Sequence, residues 1–146
     1  GLLDVADSMS AAILHCKIPV VVFITKNAAS ASAGVLISIS CDSIYMANAA
    51  TIGAATVVDE NQHPLPDKYQ SYMRGLMRSA AEVNHRNPLI AEGMVTPNNA
   101  LPQIADSGKI ITLTTSEAIA NGFCNAEANS IDDVVHQMGF IQKRIQ

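Results

Sequence analysis

Aromatic residues, basic clusters and long apolar runs are scarce in this sequence. Aromatics make up 4% of the 146 residues and tryptophan is absent, so aliphatic side chains must fill the core. The net charge is −4 and no basic run occurs, which argues against a nucleic-acid partner. No apolar run approaches the roughly 18 residues of a membrane span, and no signal peptide is visible. With 49% hydrophobic residues, the chain can bury a sizeable core.

Disulfide and metal patterns are missing as well. Three cysteines, Cys16, Cys41 and Cys124, cannot all pair with one another, and each has apolar neighbours. We expect each to be a small core residue. Because CxxC, HxxxH, P-loop and GxGxxG patterns are absent, the sequence predicts no metal and no nucleotide cofactor.

Strand-like and helix-like segments alternate along the chain. The run 18–25 is continuously apolar, which is typical of a strand covered on both faces in a parallel sheet. We therefore predict an α/β fold with a largely parallel sheet, in a single domain of residues 1–146. Helices are predicted at 2–16, from about 34 to 40, at 68–85, 88–94, 115–122 and 131–138, and strands at 18–25, 43–47, 110–113 and 123–124. Residues 56–66 are polar and are predicted to form an exposed, mobile loop, after which Asp67 is the expected N-cap.

A junction of small residues, Asn-Ala-Ala-Ser-Ala-Ser-Ala-Gly at 27–34, lies between a predicted strand and a predicted helix. A serine at such a sharp turn sits at a helix N-terminus, where free N–H groups favour an oxyanion. Ser30 and Ser32 are both candidate nucleophiles, and Ser32 is preferred because Ala33 and Gly34 leave the adjacent N–H unobstructed. The structural alternative is tight helix–sheet packing through alanines.

A serine hydroxyl needs a base to take its proton, and several side chains could do so. Lys68 begins a predicted helix, where the dipole and any burial favour a neutral amine, although Asp67 opposes this effect. His63, in the polar loop, is the rival base. His15, His85 and His136 lie on predicted helices and read as structural, and a solvated side chain is the alternative for Lys68 and His63 alike.

Five segments occur in the order found in one protease family. The chain resembles the NfeD-type membrane-associated serine proteases, which are Ser–Lys enzymes of the ClpP/crotonase superfamily related to signal peptide peptidase A. The resemblance covers nearly the whole chain. The matching segments are Ala29–Gly34, Ala50–Ala55, the surroundings of Lys68, Arg86–Val95 and Ile111–Phe123.

This resemblance implies a fold and a mechanism. The fold would consist of repeated β-β-α units with a largely parallel sheet, and the superfamily's N-terminal strands would be absent from this chain. Ser32 would attack a peptide carbonyl and Lys68 would be the general base. Ala33 would supply one oxyanion donor, and Gly1, at the end of a Gly-Gly turn, would mark the other.

The resemblance also implies a setting. The substrates would be hydrophobic segments of membrane-associated proteins, with the catalytic domain outside the cytoplasm and the anchor in segments outside this chain. A homo-oligomer, dimer or larger, would be usual. Two other functions remain open: a crotonase-type acyl-CoA enzyme, and a non-catalytic scaffold domain of the same fold.

Overall fold

The computed structural model describes residues 2–98, 101, 103–106 and 108–139, which form an α/β fold. The helices are α1 (Leu2–Leu14), α2 (Ala33–Ser40), α3 (Asp67–Val83), α4 (Pro88–Gly93), α5 (Thr115–Ala120) and α6 (Ile131–Gln137). The strands are β1 (Val21–Ile24), β2 (Ala29–Ala31), β3 (Ser43–Met46), β4 (Thr51–Gly53), β5 (Thr112–Thr114) and β6 (Ala126–Glu127).

The strands form two small sheets. One is parallel, in the order β1-β3-β6, and the other has the order β2-β4-β5. In the second sheet β2 and β4 run parallel, with Ala31 opposite Gly53, whereas β5 is antiparallel to β4. The predicted parallel sheet is confirmed, and the second sheet with its antiparallel strand was not predicted.

A repeated unit explains how the two sheets are connected. β1 in the first sheet leads to β2 in the second and then to α2; β3 leads in the same way to β4 and then to α3. These two passages are the β-β-α units that were expected. Because β2 and β4 are adjacent and parallel, their carboxyl ends lie side by side. β2 lies within the small-residue junction at 27–34, and β4 lies within a second small-residue segment, Ala50–Ala55.

Helix α2 lies in the core, packed against α1 and α3. Its buried side chains are Val35, Leu36, Ser38, Ile39 and Ser40. The short helix therefore loses most of its surface to its neighbours, which is how an eight-residue helix becomes stable. Its N-terminus emerges at the carboxyl end of β2.

Three local expectations were wrong. Cys16 is exposed, whereas Cys41 and Cys124 are buried as predicted. The expected strand at 123–124 is displaced to β6, because Phe123 and Cys124 instead follow α5 with their N–H groups bonded to Ala118 O. Pro66 rather than Asp67 is the N-cap of α3.

Candidate active site

Ser32 is the single residue between β2 and α2, and its backbone is strained. Its φ of 53° and ψ of −133° fall in a region that side-chain-bearing residues rarely adopt. The strain persists because Ser32 N donates to Ala54 O at 3.0 Å and Val35 N donates to Ser32 O at 3.1 Å. The residue is exposed. A serine on a strained strand-to-helix turn is the arrangement of a nucleophile elbow, here with Ser30 in place of the first glycine of that motif.

The first-turn amides of α2 lie beside Ser32. The N–H groups of Ala33 and Gly34 have no acceptor within the helix, as in any first helical turn. Together with the positive end of the helix dipole, they favour negative charge at this point. The predicted second donor, Gly1, lies outside the described residues.

The two candidate serines differ in what their hydroxyl groups contact. Ser30 Oγ is hydrogen-bonded to Ser38 Oγ at 2.8 Å, inside the structure. Ser32 makes no side-chain capping bond, and its Oγ has no hydrogen-bond partner among the described residues. The structure thus leaves Ser32, and not Ser30, with an available hydroxyl.

Lys68 lies in the first turn of α3 and is exposed. Its Nζ is 5.0 Å from the centroid of the Tyr69 ring, a cation–π contact. The neighbouring Asp67 carboxylate is directed to Arg74, with 3.3 Å between Oδ1 and the guanidinium, and not to Lys68. Within the described part of the chain, no hydrogen bond joins the Lys68 amine to Ser32.

The segment expected to be a mobile loop forms a small hairpin, which we call the 57–65 hairpin. Val58 and Pro64 form an antiparallel bridge, and Leu65 N donates to Val57 O at 3.0 Å. At its tip, Asp59 Oδ1 accepts bonds from Asn61 N at 2.8 Å and His63 N at 2.9 Å. Its tip is exposed as predicted, but its backbone is hydrogen-bonded rather than irregular.

Within the described residues, no hydrogen bond joins a histidine side chain to Ser32. His63, the rival candidate, has a side chain that is 76% exposed and an Nδ1 that is 3.7 Å from Asp59 Oδ2. His15 Nδ1 bonds Ala11 O of its own helix at 2.7 Å. His85 is exposed just after α3, and His136 lies in the last turn of α6.

Arg86 holds the other end of α2. It is buried, and its guanidinium donates to Ile39 O, Cys41 O and Phe123 O at 3.0 to 3.2 Å. Burial lowers the pKa of Arg86 below its usual value. A cation at a helix C-terminus is favourable, and Asn84 Nδ2 adds a bond to Ile39 O at 2.9 Å. From the sequence, Arg86 was only the first residue of a matching family segment, and no role was predicted for it.

A cleft of about 280 Å³ lies beside the start of β5, across the second sheet from β2. Apolar and polar side chains both line it: Gln103, Ile104, Ala105, Asp106, Lys109, Ile110, Ile111 and Thr112. Ile111 O accepts from Ala54 N at 3.0 Å, and Ala54 O accepts from Ser32 N, so the cleft begins two strands away from the candidate nucleophile.

Two kinds of feature are absent from the described residues. Residues 2–98, 101, 103–106 and 108–139 contain no group of three or more His, Cys, Asp or Glu side chains placed to hold a metal ion. Over the same ranges no helix has the length and hydropathy required to cross a membrane.

Known proteins are similar to this chain in sequence. Residues 1–146 match the family described as NfeD1b, N-terminal domain. The chain is 33% identical over 146 residues to the membrane protein NfeD1b of Bacillus subtilis, covering 99% of this chain and 33% of that protein. The chain thus spans about a third of the length of this curated relative.

Solved structures agree with the fold. The 1510-N membrane-bound stomatin-specific protease of Pyrococcus horikoshii has been solved as a lysine-to-alanine variant with a substrate peptide and as a serine-to-alanine variant. The first matches with TM-score 0.76 and 26% identity over 91% of this chain and 58% of that chain. The second gives 0.77 and 25% over 98% and 66%.

A more distant likeness concerns the fold alone. An enoyl-CoA hydratase/isomerase family protein from Silicibacter pomeroyi matches with TM-score 0.52 and 16% identity, over 94% of this chain and 48% of that chain. The fold is therefore of the ClpP/crotonase type. The match over its whole length places this chain in the NfeD1b N-terminal domain family.

Proposed function

We propose that this chain is the catalytic domain of a serine endopeptidase in which Ser32 is the nucleophile and Lys68 the general base. The observation that carries the proposal is the strained, exposed Ser32 at the head of α2, with no hydrogen-bond partner for its hydroxyl among the described residues. Its homology to a membrane-bound protease supports peptidase chemistry. The homology supports only the peptidase activity, and the proposal adds the two catalytic residues and the substrate.

In the proposed reaction, Ser32 attacks the carbonyl carbon of a peptide bond. As Ser32 Oγ bonds to the carbonyl carbon, the carbonyl oxygen becomes an anion beside the Ala33 N–H and the start of α2. A Gly1 N–H would be the second donor in this proposal. The Ser32 proton passes to the Lys68 amine, which then gives it to the leaving amine as the peptide bond breaks. Water hydrolyses the resulting acyl-enzyme and returns Ser32 to its starting state.

Lys68 must be neutral to accept a proton, whereas a lysine in water is charged at neutral pH. In this structure the Lys68 amine is exposed and lies over the Tyr69 ring. A substrate strand that covers the amine would remove water and draw it from the ring, and both changes favour the neutral amine. The lysine-to-alanine and serine-to-alanine variants of the related protease support the choice of these two residue types.

The proposed substrate is a hydrophobic segment of a membrane-associated protein. The lining of the cleft beside β5 includes Ile104, Ala105, Ile110 and Ile111 beside its polar residues, and the related protease is described as specific for stomatin. The relative NfeD1b is a membrane protein. We accordingly propose a membrane-associated protein with this domain outside the cytoplasm, assembled as a dimer or larger homo-oligomer.

The test is peptidase activity of the intact protein on a hydrophobic peptide. We expect Ser32→Ala to lower kcat/KM by roughly 10³-fold or more and Lys68→Ala by roughly 10²-fold or more. The matched controls are Ser30→Ala, whose hydroxyl is already bonded to Ser38, and Lys17→Ala, an exposed lysine before β1. Both controls should retain activity, as should His63→Ala.

Three results would contradict the proposal in different ways. Full activity in Ser32→Ala or Lys68→Ala would remove that residue from the chemistry. A rate profile governed by a base that titrates near 6.5, lost in His63→Ala, would make histidine the base. If a serine-directed fluorophosphonate fails to label Ser32 and no peptide is cleaved, the domain is a non-catalytic scaffold.

A further inference from the structure

One buried amide joins the 57–65 hairpin to the helix that carries Lys68. Gln70 is 5% exposed on α3. Its Oε1 accepts from Val57 N at 2.9 Å, and its Nε2 donates to Val57 O at 2.8 Å and to Leu65 O at 3.0 Å. A single side chain therefore binds both strands of the hairpin at its base.

The same amide completes a hydrogen-bonded path from Ser32. Ser32 N is bonded to Ala54 O, and the chain from there to Val57 is held at each step. Ala55 N donates to Met94 O at 2.7 Å, and Thr56 Oγ1 donates to Val95 O at 2.6 Å. Val57 is then fixed by Gln70.

From Gln70 the path continues through the helix to Lys68, two residues earlier. Among the described residues, the other polar contacts near the start of α3 are exposed: Tyr72 Oη donates to Asp7 Oδ2 at 2.7 Å, and the N-cap, Pro66, has no side-chain capping bond. The Asp67–Arg74 pair involves an Asp67 side chain that is 82% exposed, so solvent weakens it. Gln70 is thus the buried polar contact that fixes where this turn lies relative to Ala54 and Ser32.

From this arrangement we infer that Gln70 is a positioning residue for the Ser32–Lys68 reaction. The inference rests on the proposed function. Gln70 does not reach the reacting atoms; it acts by setting the place of the Lys68 turn. A glutamine suits the role because it offers one acceptor and two donors, which match one N–H and two carbonyls. A glutamate in its place would direct a second acceptor at the two carbonyl oxygens.

The experiment uses the intact protein with a hydrophobic peptide and begins with the parent and Ser32→Ala, which test the proposed function by themselves. Gln70→Met then keeps the approximate volume but removes the three bonds. We expect kcat to fall by about tenfold or more while KM changes by less than about threefold, since the lost geometry concerns the reacting groups. The pH profile of kcat should shift, because the amine meets new surroundings.

The control removes a comparable bond elsewhere. Gln137 Nε2, on α6, donates to Glu127 O at 2.9 Å, so Gln137→Met also deletes an amide–carbonyl bond. It should leave kcat and its pH profile unchanged. Gln70→Asn, which keeps the amide but shortens the side chain, should lose less activity than Gln70→Met and serves as the test if the methionine variant does not fold.

Hydrogen exchange at residues 57–65 separates the outcomes. Faster exchange in Gln70→Met together with the fall in kcat and the shifted profile supports the inference. Faster exchange with kcat and the profile unchanged would overturn it, because Gln70 would then only order the hairpin, while the proposed function would stand. A parent protein that is inactive, or unaffected by Ser32→Ala, would overturn both.

Discussion

The region around Ser32 and the region around Lys68 are built in opposite ways. Ser32 begins a helix whose side chains are mostly buried and whose far end is held by Arg86 and Asn84. Lys68 begins a helix whose first turn is exposed and follows a hairpin with an exposed tip. The core fixes the candidate nucleophile, whereas the candidate base is exposed, on a turn tied to the 57–65 hairpin by the buried amide of Gln70.

This difference suits the proposed chemistry. A strained serine backbone persists only where the surrounding structure determines it, and a buried helix provides that. A lysine that must exchange a charged state in water for a neutral one needs a place that substrate can cover and desolvate. A nucleophile held by the core and a base exposed to solvent would together meet both needs.

The largest expected effect on stability concerns β4, which pairs with β2, the strand before Ser32, and leads to the hairpin before Lys68. Gly53, at the end of β4, has φ +143°, and a Cβ there would lie 2.3 Å from Ile111 O. We expect Gly53→Ala to lower the free energy of unfolding by about 4 kcal/mol, through backbone strain and lost β4–β5 pairing. Denaturant unfolding followed by circular dichroism measures the change.

Gly34→Ala is the matched control, since both glycines belong to the small-residue segments. Its added Cβ would meet only Ser30 Oγ at 3.7 Å, an ordinary contact. Because alanine is the better helix former, this variant should be as stable as the parent or more stable by up to about 1 kcal/mol. Equal losses in the two variants would show that small size, and not position, is what both sites require.

The next prediction concerns how much the buried Arg86 stabilises the C-terminal end of α2. Arg86→Met would leave the carbonyls of Ile39, Cys41 and Phe123 without the guanidinium in a buried place. We expect a loss of about 3 kcal/mol in unfolding free energy. Arg78→Met removes a guanidinium that is 46% exposed and paired with Glu92, and should cost about 1 kcal/mol or less. If the Arg78 variant lost as much as the Arg86 variant, α2 would not depend on its buried cation.

The sequence predicted the parts of both regions that depend on local pattern. Apolar periodicity placed α1 and α3 to within two residues at each end, and the small-residue junction predicted the turn at Ser32. β2 and β4 were not predicted, because strands of only three residues, Ala-Ser-Ala and Thr-Ile-Gly, are too short to show a clear alternation. Their pairing is a long-range contact that local pattern does not report.

The roles of the buried polar side chains were not predicted either, although the sequence pattern indicated one of them. Gln70 lies in register with Met73, Met77 and Ala80 on the buried face of α3, so a polar residue on an apolar stripe marked it for a specific partner. Arg86 follows the end of that helix, and no periodicity distinguishes it from a surface arginine. The assignment of Ser32 and Lys68 to catalysis stays a prediction.

The smallest effect would show whether strain is stored at Ser32. In a left-handed backbone glycine is unstrained, whereas alanine bears the same penalty as serine. Relief of the strain, about 1 to 3 kcal/mol, is offset in part by the entropy of glycine in the unfolded chain, about 0.5 to 1 kcal/mol. We therefore expect Ser32→Gly to be more stable than Ser32→Ala by about 1 kcal/mol, with both variants inactive.

The stability difference between the glycine and alanine variants should have the opposite sign at position 30. Ser30 lies in the extended backbone of β2, so Ser30→Gly should be less stable than Ser30→Ala, since both lose the bond to Ser38 and glycine adds only entropy. Paired denaturation curves for the four variants measure both differences. If glycine destabilised position 32 as it does position 30, the positive φ of Ser32 would store no strain. Burial of α2 alone would then explain how the Ser32 region is held.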